Sequence, residues 1–99
     1  MLCVWRDSQN KLVHGAKHSY QTPNGPIEIM TDMDGRLSCF VCVGVTPRYK
    51  EDINDGVYVT QDGKEVNPSF YTDICSDVMR ISYTDIDAYM QNKGFEKLY

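Results

Sequence analysis

The sequence predicts an α+β fold, an antiparallel β-sheet of hairpins (about five to six strands) packed by one or two C-terminal helices. Three observations carry this. Two Asp-Gly pairs each sit between β-rich runs, the hydrophobic period changes after Val66, and helix-end signals stand at Asn67-Pro68 and at Gly94. The chain has 99 residues, which suits one domain over 1–99, strand-rich over 1–66 and helical over 67–95.

The first segment, Leu2–Arg6, is placed to pair with Lys11–His14 across Asp7-Ser8-Gln9-Asn10. Two segments, Gly15–Pro26 and Thr46–Gly56, mix Gly, Pro, Asn, Asp and Lys without periodicity and read as loose. Between them Pro26–Met33 and Arg36–Val45 flank Asp34-Gly35, the sequence of a two-residue type I′ turn. That turn sets Met33 opposite Arg36. It then sets Asp32 opposite Leu37, Met30 opposite Cys39, Ile29 opposite Phe40 and Ile27 opposite Cys42. A second pair, Asp62-Gly63, joins Gly56–Gln61 to Lys64–Val66.

After Val66 the apolar residues Phe70, Tyr71, Ile74, Cys75, Val78 and Met79 recur at helical spacing, with Thr72, Asp73, Ser76 and Asp77 on the other face. Asn67 suits the cap and Pro68 the first turn. The β-branched residues leave a strand reading open for Val78–Tyr83. A last helix follows Ser82-Tyr83-Thr84-Asp85, with Ile86, Tyr89, Met90 and Lys93 on one face. Gly94 is placed to end it in a left-handed cap, with Phe95 folding back onto Met90. The tail Glu96–Tyr99 is expected to fray.

Composition narrows the function classes. Apolar residues make up 41% and aromatics 11%, which excludes an intrinsically disordered chain. No apolar run approaches the roughly 20 residues of a membrane span. No export signal is read at the start, so the expectation is a cytoplasmic protein with reduced thiols and no membrane. Net charge is −4 and unevenly placed. Residues 1–50 carry six Lys/Arg against four Asp/Glu (+2), and residues 51–99 carry four against ten (−6). An acidic half argues against a nucleic-acid partner, because phosphate binding rests on cationic neutralisation.

Metal chemistry has one formal candidate set, Cys39, Cys42, His14 and His18. Cys39-Phe40-Val41-Cys42 has the C-x-x-C spacing. It lies inside a strand pattern, where residues three apart point to opposite faces, so the sulfurs are expected apart and no metal is expected. Cys3, Cys39, Cys42 and Cys75 read as small buried hydrophobes. Gly-x-Ser-x-Gly, the P-loop and Gly-x-Gly-x-x-Gly are absent from the sequence, and no catalytic residue and no cofactor are expected.

The expected function is a small non-enzymatic interaction protein that binds and modulates or inhibits a larger macromolecule. Compact accessory proteins of phages and mobile elements share this profile, which is analogy only. Seven tyrosines against three phenylalanines supply interface-type side chains. The candidate partner-binding residues are Arg48, Tyr49 and Lys50 in the second loose segment, and Asp73, Asp77, Asp85 and Asp87 on the acidic helices. Two alternatives stand beside it: a small-ligand-binding domain with a pocket between sheet and helices, and a zinc-stabilised module. Arg36–Val45 is apolar on both faces, and the helices cover only one. A symmetric homodimer is therefore expected, unless Leu2–Trp5 and Lys11–His14 curl the sheet into a small barrel.

Overall fold

The computed structural model describes residues 2–7, 9–48 and 56–98. Among them an α+β architecture forms from eight strands and two short helices. In chain order these are β1 (Leu2–Arg6), β2 (Leu12–Thr22), β3 (Gly25–Asp32), β4 (Leu37–Cys42), β5 (Val45–Arg48), β6 (Val57–Thr60), β7 (Glu65–Val66), α1 (Ser69–Val78), α2 (Ile86–Asn92) and β8 (Glu96–Lys97). A single 3-10 turn, Tyr83–Asp85, leads into α2. The larger sheet is antiparallel in the order β1-β2-β3-β4, and β8 also pairs with β2. The smaller sheet is β5-β6-β7.

Three hairpins use one loop design. The Asp7 N–H donates to the Lys11 carbonyl, Asp32 N–H to Arg36, and Thr60 N–H to Lys64, at 3.0, 2.9 and 2.9 Å. Three residues therefore lie inside each loop, and the last of them, Asn10, Gly35 or Gly63, has a positive φ. The first residue stabilises the loop from its side chain. Asp7 Oδ1 accepts from Gln9 N–H and Lys11 N–H, and Asp32 Oδ1 accepts from Asp34 N–H and Arg36 N–H. Thr60 Oγ1 accepts from Lys64 N–H at 3.0 Å. At Asp34-Gly35 and Asp62-Gly63 these loops replace the expected two-residue turns, and after Asp7 the loop replaces the expected four-residue turn.

An extra loop residue should shift every pair on β3–β4 by one. Instead Ile27 pairs Cys42, Ile29 pairs Phe40 and Met30 pairs Cys39, as the sequence predicts. A register shift on β4 restores the phase. Thr31 pairs Leu37 while its neighbour Met30 pairs Cys39, so Ser38 is the additional residue, a β-bulge. The expected Asp32–Leu37 pair is lost for that reason.

The segment read as loose, Gly15–Pro26, is mostly the strand β2 and its tight connection to β3. Thr22 pairs Gly25 across Pro23-Asn24. The Thr22 hydroxyl donates to the Gly25 carbonyl at 2.7 Å and accepts from Asn24 N–H at 3.1 Å. Gly15 is required inside β2, because a Cβ there would overlap the Thr31 carbonyl oxygen and the Trp5 ring. The ten-residue strand expected over Arg36–Val45 is broken. Val43-Gly44 turns the chain out of the larger sheet, and Val45 begins β5 in the smaller one.

Both helices form as predicted, and Val78–Tyr83 is not a strand. Asn67 Oδ1 accepts Ser69 N–H at 3.0 Å at the start of α1. Gly94 N–H donates to Gln91 and Phe95 N–H to Met90, the paired bonds of a left-handed helix stop. The tail does not fray at once, since Glu96–Lys97 pairs with Gln21 and Tyr20 of β2. The core gathers Tyr20, Ile27, Ile29, Val66, Tyr71, Ile74, Val78, Ile86, Met90 and Phe95. Leu37, Phe40 and Cys42 pack against it from β4, and Val45 and Tyr58 from the smaller sheet. Tyr58 meets the Tyr71 ring edge-to-face at 5.3 Å.

Candidate functional site

Alternation on β1 and β2 places Leu2, Val4, Leu12, His14 and Ala16 on the same sheet face as Tyr20, Ile27 and Ile29. The helices stop short of them. α1 has 10 residues and spans about 15 Å, whereas β2 has 11 and spans about 36 Å. The cover reaches Thr31 and Leu37 on β3 and β4, where Val78, Ile81 and Ile86 face them, and is missing over β1 and the start of β2. Leu2 is 80% exposed, Val4 53%, Leu12 50% and Met33 75%. Leu2, Cys3, Val4, His14, Gly15 and Met33 line an open groove of about 580 Å³. Leu2, Val4, Leu12 and Met33 are exposed large apolar side chains among the described residues.

The opposite face holds the hairpin in place. Trp5 crosses over Gly15, and its Nε1–H donates to Ser38 Oγ on β4 at 3.2 Å. The bulge at Ser38 and the bare Gly15 both serve this crossing. Lys17 and Glu28 pair on that face at 3.5 Å. The hairpin therefore curls toward β4, in the sense of the barrel alternative.

A polar cluster ties β2, α2 and β8 together at the covered end. The Tyr20 hydroxyl donates to Asp87 Oδ1, and Lys97 Nζ donates to Asp87 Oδ2 at 2.7 Å. Burial first, and Asp87 second, push the Tyr20 hydroxyl far above its ordinary pKa, so it keeps its proton. Burial alone would raise Asp87, but Lys97 and Tyr20 hold its carboxyl below the usual range. His18 lies beside them, lowered by desolvation against the pull of Asp87, and its Nε2 is buried without a hydrogen-bond partner among the described residues. In the sequence His18 falls in a segment that reads as loose, without periodicity, so its face was not legible. Nor were the partners, because they depend on β8.

The sequence candidates are dispersed. Asp87 belongs to this cluster, and Asp77 accepts the Tyr89 hydroxyl at 2.6 Å. Asp73 and Asp85 are exposed on the helical side. Arg48 pairs with Glu65 at 3.3 Å, and Tyr49 and Lys50 lie outside the described residues. Cys39 pairs Met30 and Cys42 pairs Ile27, which puts the two thiols on opposite faces. Cys42 packs into the core, where burial first and Cys75 second push its thiol up to about 11. His14 and His18 share one face of β2 but lie four residues apart, about 13 Å on a strand. Among the described residues no three of His, Cys, Asp and Glu converge as metal ligands. No helix among them is long and apolar enough to cross a membrane.

Leu2, Val4, Leu12 and Met33 were not singled out in the sequence. The sequence signal for Leu2 and Val4 is the apolar run Leu2–Trp5, which reads the same whether or not a helix reaches it. Comparison with protein-family models, with curated proteins and with solved structures gave no match in any of the three.

Proposed function

We propose that this chain is a non-enzymatic interaction protein that docks on a larger macromolecule through the bare apolar surface of the β1–β2 hairpin and modulates it. The carrying observation is the exposure of Leu2, Val4, Leu12 and Met33, with Leu2, Val4 and Met33 lining one groove. Contiguous apolar surface on a small domain is the usual mark of a protein contact. The titratable groups support the non-enzymatic reading. Tyr20, Asp87 and Lys97 are spent on one another, and Cys42 is a half-buried thiol held in its protonated form.

The test is partner capture with a surface variant. Leu2→Lys, Val4→Lys and Leu12→Lys combined should leave the melting transition in place and abolish stoichiometric capture of whatever protein the parent retains. Capture that survives the triple substitution would move the contact elsewhere, with Asp73 and Asp85 next to be replaced. A parent that retains no protein counts against the reading as a whole.

A second reading rests on a different groove. Thr31 and Leu37 from the sheet and Val78, Ile81, Tyr83 and Ile86 from the helical side line an open space of about 530 Å³. It has the size of a small-molecule site. Native mass spectrometry separates the two readings, since a retained adduct lost on Tyr83→Ala would favour the ligand.

A further inference from the structure

We propose that the chain forms a symmetric homodimer by pairing β1 with β1 of a second copy, antiparallel, with Val4 on the two-fold axis. β1 is an edge strand whose one strand partner among the described residues is β2. The loop fixes the hydrogen-bonding phase of that edge. The Asp7 N–H donates to the Lys11 carbonyl at 3.0 Å, which makes these two a hydrogen-bonded pair. Such pairs alternate along antiparallel strands. Trp5–Val13 and Cys3–Gly15 are therefore the next bonded pairs, and Leu2, Val4 and Arg6 aim their N–H and C=O groups away from β2. A separate bond gives the same phase, because Leu98 N–H reaches the Ser19 carbonyl from this side at 2.8 Å. Odd-numbered residues of β2 thus serve this side of the strand.

An outward triplet centred on Val4 is self-complementary. A two-fold through Val4 sets Val4 against Val4 of the second copy and Leu2 against its Arg6. All three outward residues then find outward partners. An axis through Cys3 or Trp5 keeps the phase but leaves one of the three unpaired. The side chains agree with the backbone. Leu2, 80% exposed, lies along the aliphatic stem of Arg6, and the one charge of β1 faces no like charge. The result is one sheet continuous through both copies. A foreign strand offers the same bonds but lacks this match about a single residue.

The pairing uses the backbone edge, so it stands whether or not the apolar face takes another protein. A five-residue edge is a small interface, and the association should be weak and concentration-dependent. The test is light scattering of the intact chain from about 5 to about 100 μM, where the mass should climb from one chain toward two. Val4→Pro removes one outward N–H and no bond to β2, so it should stay at one chain throughout with unchanged circular dichroism. Two further variants guard against a local distortion by proline. Val4→Glu and Val4→Lys should each remain single, and their equal mixture should recover the two-chain mass, because only this axis sets residue 4 against residue 4. A parent that stays at one chain overturns the dimer and leaves the docking reading standing. A two-chain mass that persists in Val4→Pro, or a mixture of folded charge variants that stays single, overturns the β1 axis.

Discussion

The helix-bearing face of the larger sheet is dry over Tyr20, Ile27 and Ile29, each with no exposed surface, and wet over Leu2, Val4 and Leu12. Both halves lie on β2 or on its direct partners, and the residue types barely differ. What differs is the reach of the covering layer. The two helices, of ten and seven residues, each span less than half the length of β2. The same sheet face therefore holds a core at one end and an exposed apolar surface at the other. Apolar patterning sets which face is sticky, and element length sets how much of it is left for a partner.

The largest expected contrast comes from matched truncations in the two halves. Ile29→Ala should cost about 2–5 kcal/mol, the range for deleting a buried aliphatic side chain. Val4→Ala should change stability by less than about 0.5 kcal/mol in the single-chain form. Urea denaturation at low protein concentration reads both. Equal losses would mean that the hairpin face is covered after all. Next are the two glycines that flank the boundary. Gly15→Ala drives a methyl into the Thr31 carbonyl and the Trp5 ring and should cost about 1–3 kcal/mol. Gly35→Val should cost more than about 1 kcal/mol, since φ is +79° and a Cβ would overlap the Tyr83 ring. A parent-like melt for Gly35→Val would remove the turn assignment.

The polar cluster at the dry end gives a smaller effect. Tyr20→Phe deletes the hydroxyl that binds Asp87 and should cost about 1–2 kcal/mol, with the loss confined to pH values where Asp87 is ionised. The smallest effect is a pH slope. The folded pKa values of His18 and Asp87 are both depressed, so each contributes stability above its ordinary pKa and loses it as pH falls through the folded value. Stability should decline first below about 6.5 through His18, then below about 3.8 through Asp87. Replacing His18 by Phe should flatten the upper part alone, and an unchanged slope would exclude His18 as its source.

Much of the fold was legible because local chemistry agreed with it. Gly94 and Phe95 stop α2 as read, and Asn67 and Pro68 start α1. The β3–β4 register came through for a reason the sequence did not show. A loop one residue longer than expected and a bulge at Ser38 offset each other. The middle of β2 was illegible because Gly15, Ala16, Lys17 and Ser19 carry no strand propensity of their own. Trp5 above Gly15 and the pairing of β3 make them a strand. The candidate site was less legible still. The aspartates read as partner-binding candidates, yet Asp77 and Asp87 each hold a tyrosine hydroxyl. The apolar run of β1 was visible, but its exposure depends on where the helices dock.

The shared flank of β2 has a consequence for chain connectivity. β8 and β1 run in the same direction along that flank, one behind the other. Leu98 bonds to Ser19, Leu2 pairs with Ala16, and only positions 17 and 18 of β2 separate them. Two residues in extended conformation bridge such a gap. Topologically the partner of β2 is one strand cut in two, and the chain is a ring opened at that cut. Joining Leu98 to Leu2 through two residues and opening the ring at Pro23-Asn24 would give a permuted chain with the same sheet order, in which the exposed edge strand β1 is anchored at both ends.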